Sequence, residues 1–177
     1  MSSEPTPPYL LPPFVPIEGV INCRSIPLPN CQQPWLFRSG DISRITPDGM
    51  AKLQSLGIKT IFDFRTPSDV ARFKSPPPVI PGINTIKAPL NLVQSMETAD
   101  EVKGDGVGQY EPSNMRKFLA RLTEDEGRTW AEEYTYFLTN GKDGVGAVLK
   151  CIIDRKDGEG ILFHCNGTFL ILSQCRK

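Results

Sequence analysis

The chain has 177 residues, of which 39% are hydrophobic and 23% charged, a composition typical of a globular protein with one buried core. Twenty basic residues balance twenty acidic ones, which argues against a protein that binds nucleic acid through a basic surface. The chain has five cysteines and one histidine, which argues against a disulfide framework and against a Cys/His metal site. It has no apolar run long enough to cross a bilayer, which argues against a membrane span.

The N-terminal segment is rich in proline, with nine of the 17 prolines in residues 1–34. Proline lacks the amide donor that helices and central strands need, so we expect residues 1–16 to form a flexible lead-in. The segment has neither the basic start nor the apolar stretch of a secretory signal. We therefore expect a cytoplasmic or nuclear protein whose domain occupies residues 17–165.

The first regular elements are marked by β-branched residues and helix caps. A short strand is predicted at residues 35–38. Thr46 and Pro47 then predict the start of a helix that Gly57 ends. Its apolar residues recur on one face: Met50, Leu53 and Leu56. Residues 58–64 predict a second strand.

A second cap signal follows at Thr66-Pro67 and predicts a short helix with Val70 and Phe73 on one face. Prolines and a glycine in residues 76–82 predict a loop. A third strand is predicted at residues 83–86.

The middle of the chain combines an insertion with three helical patterns. Residues 90–112 have little periodicity and predict a long insertion. The apolar residues of the helical patterns recur at intervals of three and four: Met115, Phe118, Leu119 and Leu122; Trp130, Tyr134, Phe137 and Leu138; Val145, Val148, Leu149, Ile152 and Ile153. We interpret the stripe of Trp130, Tyr134 and Phe137 as core, and residues 140–146 as the loop that starts the last helix.

The last predicted strand, Ile161-Leu-Phe-His164, leads directly into Cys165. Strands that alternate with helices predict an α/β fold. Cys165 has two interpretations, a core cysteine at a strand end and a nucleophile. A thiol between a strand and a helix start lies among backbone N–H groups, which stabilise a thiolate and a bound phosphate. Phosphoryl transfer to such a thiolate also requires a guanidinium clamp and a carboxylic acid.

Other candidate residues lie where two predicted strands end. Asp63 and Arg65 fall at the carboxyl end of a strand, where the sites of α/β proteins are usually built. The alternative is a loop ion pair that organises the strand end. Arg38 and Ser39 fall along the same rim, where a solvated or structural role is the simpler interpretation.

Three segments, in order, resemble the fungal and bacterial tyrosine/serine phosphatase family, which has a His-Cys-x5-Arg signature. Ile17-Glu-Gly-Val-Ile-Asn-Cys-Arg-Ser25 is similar to the family's N-terminal "NFRD" segment. Leu36-Phe-Arg-Ser-Gly40 and Leu56-Gly-Ile-Lys-Thr-Ile-Phe-Asp-Phe-Arg65 match its "RSG…LGIKTIxDLR" block. Ile161-Leu-Phe-His-Cys165 is similar to the strand that enters the signature loop.

The resemblance implies a phosphatase-like central sheet flanked by helices. It also implies hydrolysis of a phosphoprotein or phosphoinositide through a phosphocysteine, without metal or cofactor. The site residues that it implies are the catalytic Cys165, His164 and Asp63 and the phosphate-binding Asn166, Gly167 and Arg65.

After Cys165 the sequence departs from the family pattern. The family loop reads Thr-Ala-Gly-Lys-Asp-Arg-Thr-Gly, and its arginine position holds Ile171 in this chain. We expect residues 166–177 to be an aberrant tail and the C-terminal part of the fold to be missing, which predicts an inactive and poorly stable chain. Three hypotheses stay open: a phosphatase whose full-length form uses Cys165, a non-catalytic form that binds phosphorylated partners, and an aberrant gene product that folds poorly.

Overall fold

The computed structural model of the protein describes residues 12–29, 31–89, 120–121 and 123–166. The insertion predicted at residues 90–112, most of the helix predicted from residue 115 and the tail after residue 166 lie outside the described residues.

Strands and helices alternate along the described chain and confirm the predicted α/β class. The strands are β1 (Arg24–Ser25), β2 (Leu36–Ser39), β3 (Ile58–Asp63), β4 (Asn84–Lys87) and β5 (Gly160–His164). The helices are α1 (Pro47–Ser55), α2 (Pro67–Arg72), α3 (Glu126–Asn140) and α4 (Lys142–Ile153). Of these elements only β1 was not predicted. No helix in the described parts of the chain has the length and apolar character needed to span a membrane.

The five strands form one mixed sheet in the order β1-β2-β5-β3-β4. Strands β2, β5, β3 and β4 are parallel, and β1, at the edge, is antiparallel to β2. Strand β5 therefore lies in the centre of the sheet although it comes last among the described strands. Its position explains its nearly continuous apolar sequence, because a central parallel strand is covered on both faces.

Side chains alternate between the two faces of the sheet. On one face, Leu53 of α1 joins Ile61 and Leu162 in a buried cluster. On the opposite face, residues of α4 pack against a second cluster that contains Phe62 and Ile161. Helices α1 and α4 thus cover opposite faces of the same two central strands, β3 and β5.

Helix α1 begins as predicted. The Thr46 hydroxyl accepts a hydrogen bond from the amide of Gly49 at 3.1 Å, and Pro47 occupies the first turn. The Thr46 hydroxyl also donates to the Glu18 carboxylate at 2.9 Å. This contact brings the N-terminal segment so close to the helix that a Cβ atom on Gly49 would lie 2.3 Å from the Glu18 carbonyl oxygen. Glycine at position 49 is therefore required by close approach of two backbones.

The proline-rich segment is described from residue 12 onward. There the Val15 amide donates to the Cys23 carbonyl and the Ser25 amide to the Pro13 carbonyl, each at 2.9 Å. Residues 13–15 therefore run beside β1 as an extended, hydrogen-bonded segment.

The prediction that the aromatic stripe of α3 is core is wrong for Tyr134. Tyr134 is 55% and Leu138 57% exposed, and the half-buried Trp130 ring lies against Tyr134 with centroids 6.1 Å apart. The side chain of Phe137 lies outside the described residues. Helix α3 contacts α4, and Thr129 is its only buried residue among those described. Periodicity predicts which residues share a face, but not which element covers it.

The same limit applies to two other helices. In α4, Val148 and Ile152 pack on the sheet, but Leu149 and Ile153 are exposed. Helix α2 has no buried residue, and Phe73, predicted on its apolar face, is 48% exposed.

Candidate functional site

Four parallel strands end at the same level on the carboxyl edge of the sheet. Ser39 of β2 is in register with His164 of β5, His164 with Asp63 of β3, and Asp63 with Lys87 of β4. Ligand sites of open α/β sheets are built at this edge. The structure thus brings together the ends of the strands that carry most of the predicted site residues.

Cys165 follows β5 directly and leaves the sheet at the centre of this edge. The residue is half-buried. Asn166 is also half-buried, and Gly167 lies outside the described residues. The roles predicted for Cys165, His164, Asn166 and Gly167 stay predictions.

Arg65 connects three segments around the carboxyl edge. Its side chain is fully buried, and its Nε and Nη2 atoms donate to Asp63 Oδ1 and Oδ2 at 2.8 and 2.7 Å. Its Nη1 atom donates to Asp41 Oδ1 and to the Ser75 carbonyl, both at 2.9 Å. Asp41 follows β2 and Ser75 follows α2, so one guanidinium ties the loops after β2, β3 and α2 together.

The sequence left two roles open for Asp63 and Arg65, and the structure contains the ion pair that organises the strand end. Burial raises the pKa of the Asp63 carboxyl, but the hydrogen bonds from Arg65 outweigh burial and bring the pKa below its ordinary value. The carboxyl group is therefore ionised at neutral pH and poorly suited to donate a proton. All three guanidinium nitrogens of Arg65 donate to protein oxygens, an arrangement that does not favour phosphate binding.

His164 is buried beside this ion pair. The side chain is 0% exposed, and its Nε2 lies 3.6 Å from Asp63 Oδ1. Burial lowers the pKa of His164 to about 4, although the negative charge of Asp63 and a hydrogen bond with the backbone of Cys165 act in the opposite direction. The imidazole is therefore neutral at pH 7.

Sequence reasoning missed Asp41 and Ser75. Asp41 directly follows the Arg-Ser-Gly motif, and its place next to that motif is the only sequence signal that could have identified it. No sequence signal marks Ser75. Along the same rim Arg38 is exposed, and the Ser39 hydroxyl donates to the Gly40 carbonyl at 3.0 Å. These contacts agree with the solvated or structural role given to Arg38 and Ser39.

A family model described as the tyrosine phosphatase family matches residues 15–167, which is well over half of the chain. The match begins before β1 and ends two residues after Cys165. No curated protein matches the chain closely enough to count as a relative. Among the described residues, no three His, Cys, Asp or Glu side chains form a group that could hold a metal ion.

Proposed function

Because the chain belongs to the tyrosine phosphatase family, we propose that Cys165 holds the position of the nucleophile in phosphate monoester hydrolysis. We further propose that this chain, with Ile171 in place of the signature arginine, does not complete that reaction. The substrate class is a phosphoprotein or a phosphoinositide, both of which present a phosphate monoester.

The position of Cys165 at the carboxyl end of the central strand is the observation that carries the proposal. Cys165 follows His164, which is paired with Ser39 of β2 and with Asp63 of β3, so the chain leaves the sheet between the ends of these two strands. Backbone N–H groups of Asn166 and Gly167 would begin the phosphate-binding loop in this proposal. Such N–H groups favour both the thiolate and the phosphate oxygens.

The complete reaction has two steps. The Cys165 thiolate forms a bond to phosphorus while the bond from phosphorus to the ester oxygen breaks, and an acid protonates the departing oxygen. Water then attacks phosphorus, the phosphorus–sulfur bond breaks, and phosphate and thiolate are released. Asp63 is not the acid in this proposal, because Arg65 holds its carboxylate in the ionised form.

Charge stabilisation is the part of this reaction that the chain lacks. Loss of one preorganised group that stabilises transition-state charge costs about 10²–10³ in rate. Arg65 does not replace the missing group, because its guanidinium is buried and bound to Asp63, Asp41 and Ser75. The alternative function of such a site is to bind a phosphorylated partner without hydrolysing it.

Hydrolysis of a small aryl phosphate tests the proposal on three proteins. The chain as it stands should release no burst of product. Replacing residues 166–177 with the family loop Thr-Ala-Gly-Lys-Asp-Arg-Thr-Gly and the helices that follow it in the family should produce turnover, and adding Cys165→Ser should abolish it. A Cys165-dependent burst from the unaltered chain would contradict the proposed inactivity. Turnover that survives Cys165→Ser in the altered chain would contradict the proposed nucleophile.

A further inference from the structure

We propose that Arg24 and Arg38 form a second phosphate-binding site beside Cys165, which takes a phosphate group of a small molecule that carries two of them. The identity of this ligand rests on the proposed function, whereas the binding of phosphate to the two arginines does not.

The two arginines face each other across the antiparallel strands at the edge of the sheet. Arg24 of β1 is in register with Arg38 of β2. Their side chains therefore lie on the same face, with Cα atoms roughly 5 Å apart. Neither guanidinium forms an ion pair with an acidic residue in the described part of the chain. Like charges directly opposite one another destabilise a sheet, so an anion bound between the two arginines would offset their repulsion.

The guanidinium of Arg24 is held in place but is not neutralised. Its Cζ lies 4.7 Å from the centroid of the Phe14 ring, and its Nη2 donates to the neutral amide oxygen of Asn22. Its Nε is buried and has no hydrogen-bond partner among the described residues. Burial and the positive charge of Arg38 lower the pKa of Arg24, as expected for two cations without a counter-ion. A fixed guanidinium without a counter-ion is preorganised to bind an anion.

Arg38 supplies the donors that a ligand reaches from solvent. The residue is exposed and makes no hydrogen bond or ion pair with a group that the structure describes. Two neighbouring guanidinium groups present several N–H donors to the oxygens of one anion. A phosphate monoester fits this arrangement because it carries nearly two negative charges at neutral pH and three acceptor oxygens.

The arginine pair lies close to Cys165 on one face of the sheet. Arg38 is in register with Phe163 of β5, and Cys165 follows two residues later. Residues two apart along a strand point to the same face about 6.6 Å apart, and neighbouring strands are about 4.8 Å apart. These spacings put the backbone of Arg38 roughly 8 Å from that of Cys165, within reach of one long side chain.

Two phosphate positions on one rigid sheet favour a ligand whose phosphates are also held rigidly. A ring that bears two phosphates loses less conformational entropy on binding than a flexible peptide with two phosphorylated residues. We therefore assign an inositol bisphosphate head group as the ligand, with one phosphate at Cys165 and the other between Arg24 and Arg38.

Titration of the ¹⁵N-labelled full chain with inorganic phosphate tests the site without reference to turnover. Phosphate replaces chloride at constant ionic strength and neutral pH, and the Nε–H signals of the arginines are followed by NMR. The Arg24 and Arg38 signals should shift together, with one Kd on the order of 1–10 mM.

Arg38→Gln should weaken the binding seen at the Arg24 signal by about tenfold, because one of the two charged donors is lost. The variant removes a like charge from an exposed position, so we expect it to fold. Arg44→Gln is the matched control: Arg44 is also exposed, and its replacement changes the net charge by the same amount. It should keep the wild-type Kd.

The ligand is tested on the protein whose residues 166–177 are replaced by the family loop and the helices that follow it. The kcat/KM values for an inositol bisphosphate and an inositol monophosphate are compared as a ratio. Arg38→Gln should lower this ratio by about tenfold, because the second phosphate loses a charged partner. Arg44→Gln should leave the ratio unchanged.

Phosphate shifts that do not saturate, or that Arg44→Gln weakens as much as Arg38→Gln does, would overturn the site. A ratio that is unaffected by Arg38→Gln, or that changes only for a doubly phosphorylated peptide, would overturn the assigned ligand. Failure of the proposed function would appear differently, as the absence of Cys165-dependent turnover in the altered-loop protein. That result would remove the assigned ligand as well, while the phosphate titration would still decide the site.

Discussion

Arg65 lies two residues beyond Asp63 and folds back on it, so that its Nε and Nη2 atoms bind both carboxylate oxygens at 2.8 and 2.7 Å. The guanidinium side chain is 0% and the carboxylate side chain 3% exposed. Two full charges are therefore withdrawn from water next to the end of a central strand. A buried pair of this kind contributes little net stability, but removing one partner leaves the other charge uncompensated.

We predict that Arg65→Met destabilises the protein by about 3–5 kcal/mol, because the Asp63 carboxylate loses its partner inside the protein. Urea unfolding measures the change. Arg128→Gln is the control, since Arg128 forms an exposed ion pair with Glu132 within α3, and this change should leave the midpoint unaltered. Equal midpoints for both variants would show that the Asp63–Arg65 pair is not buried in solution.

Stability should fall as the pH drops from about 6.5 to about 4. The folded pKa of His164, about 4, is below the 6.5 of the unfolded chain, so the unfolded state binds more protons in this window. The contribution of His164 to the free energy of unfolding is fully present above pH 6.5 and is lost as the pH falls through the folded pKa. The total loss is roughly 3 kcal/mol.

The pH dependence is measured by urea unfolding between the two limits, on the wild type and on His164→Gln. No other histidine contributes, and Asp63, whose folded pKa is lowered, adds its own loss only below its unfolded value of about 3.8. The variant should therefore show a flatter profile above pH 4.5. Profiles of equal slope would mean that His164 is accessible to protons in the folded state.

Two glycines in helices should respond to alanine with opposite signs. Gly49→Ala places a Cβ atom 2.3 Å from the Glu18 carbonyl oxygen and should destabilise the protein by about 1–3 kcal/mol. Gly146→Ala in α4 meets no atom within 4 Å and should stabilise it by about 0.5–1 kcal/mol. Thermal unfolding measures both effects. If both variants are more stable than the wild type, the backbone of Glu18 does not contact α1 at Gly49.

The thiol of Cys165 should titrate differently in the unaltered chain and in the chain with the family loop. The loop amides and arginine favour the thiolate, so its pKa should fall well below the roughly 8.5 of free cysteine only in the altered chain. Iodoacetamide labelling against pH, resolved by peptide mass spectrometry, measures each cysteine separately. Cys23 is an internal control, because burial raises the pKa of its thiol to about 12. Identical Cys165 curves would count against a phosphate-binding loop at this position.

Elements with a local signal were predicted well from the sequence. The caps at Thr46 and Thr66 and the strands at Ile58–Asp63 and Gly160–His164 depend on short-range patterns, and each appeared within a residue or two of the prediction. Strand β1 escaped prediction because its two residues carry no pattern and are defined by pairing with β2.

The site was predictable only in part. Asp63 and His164 could be placed at strand ends, but their register across β3 and β5 is a property of the sheet and not of either segment. The contact of Arg65 with Asp41 joins residues 24 positions apart in loops without periodicity. For the same reason the exposure of Tyr134 could not be read from helical spacing, since it depends on what packs against α3.

The strand order has a consequence for how the chain folds. Strands β2 and β3 are hydrogen-bonded to β5 and not to each other, so the sheet consists of two pairs, β1-β2 and β3-β4, until residues 160–164 arrive. A chain emerging from the ribosome contains both strand pairs and helices α1 and α2 before β5 has been synthesised. The two pairs cannot join into one sheet until β5 is present. Non-local pairing of this kind slows folding and leaves the inner edges of β2 and β3 open to other chains in the meantime.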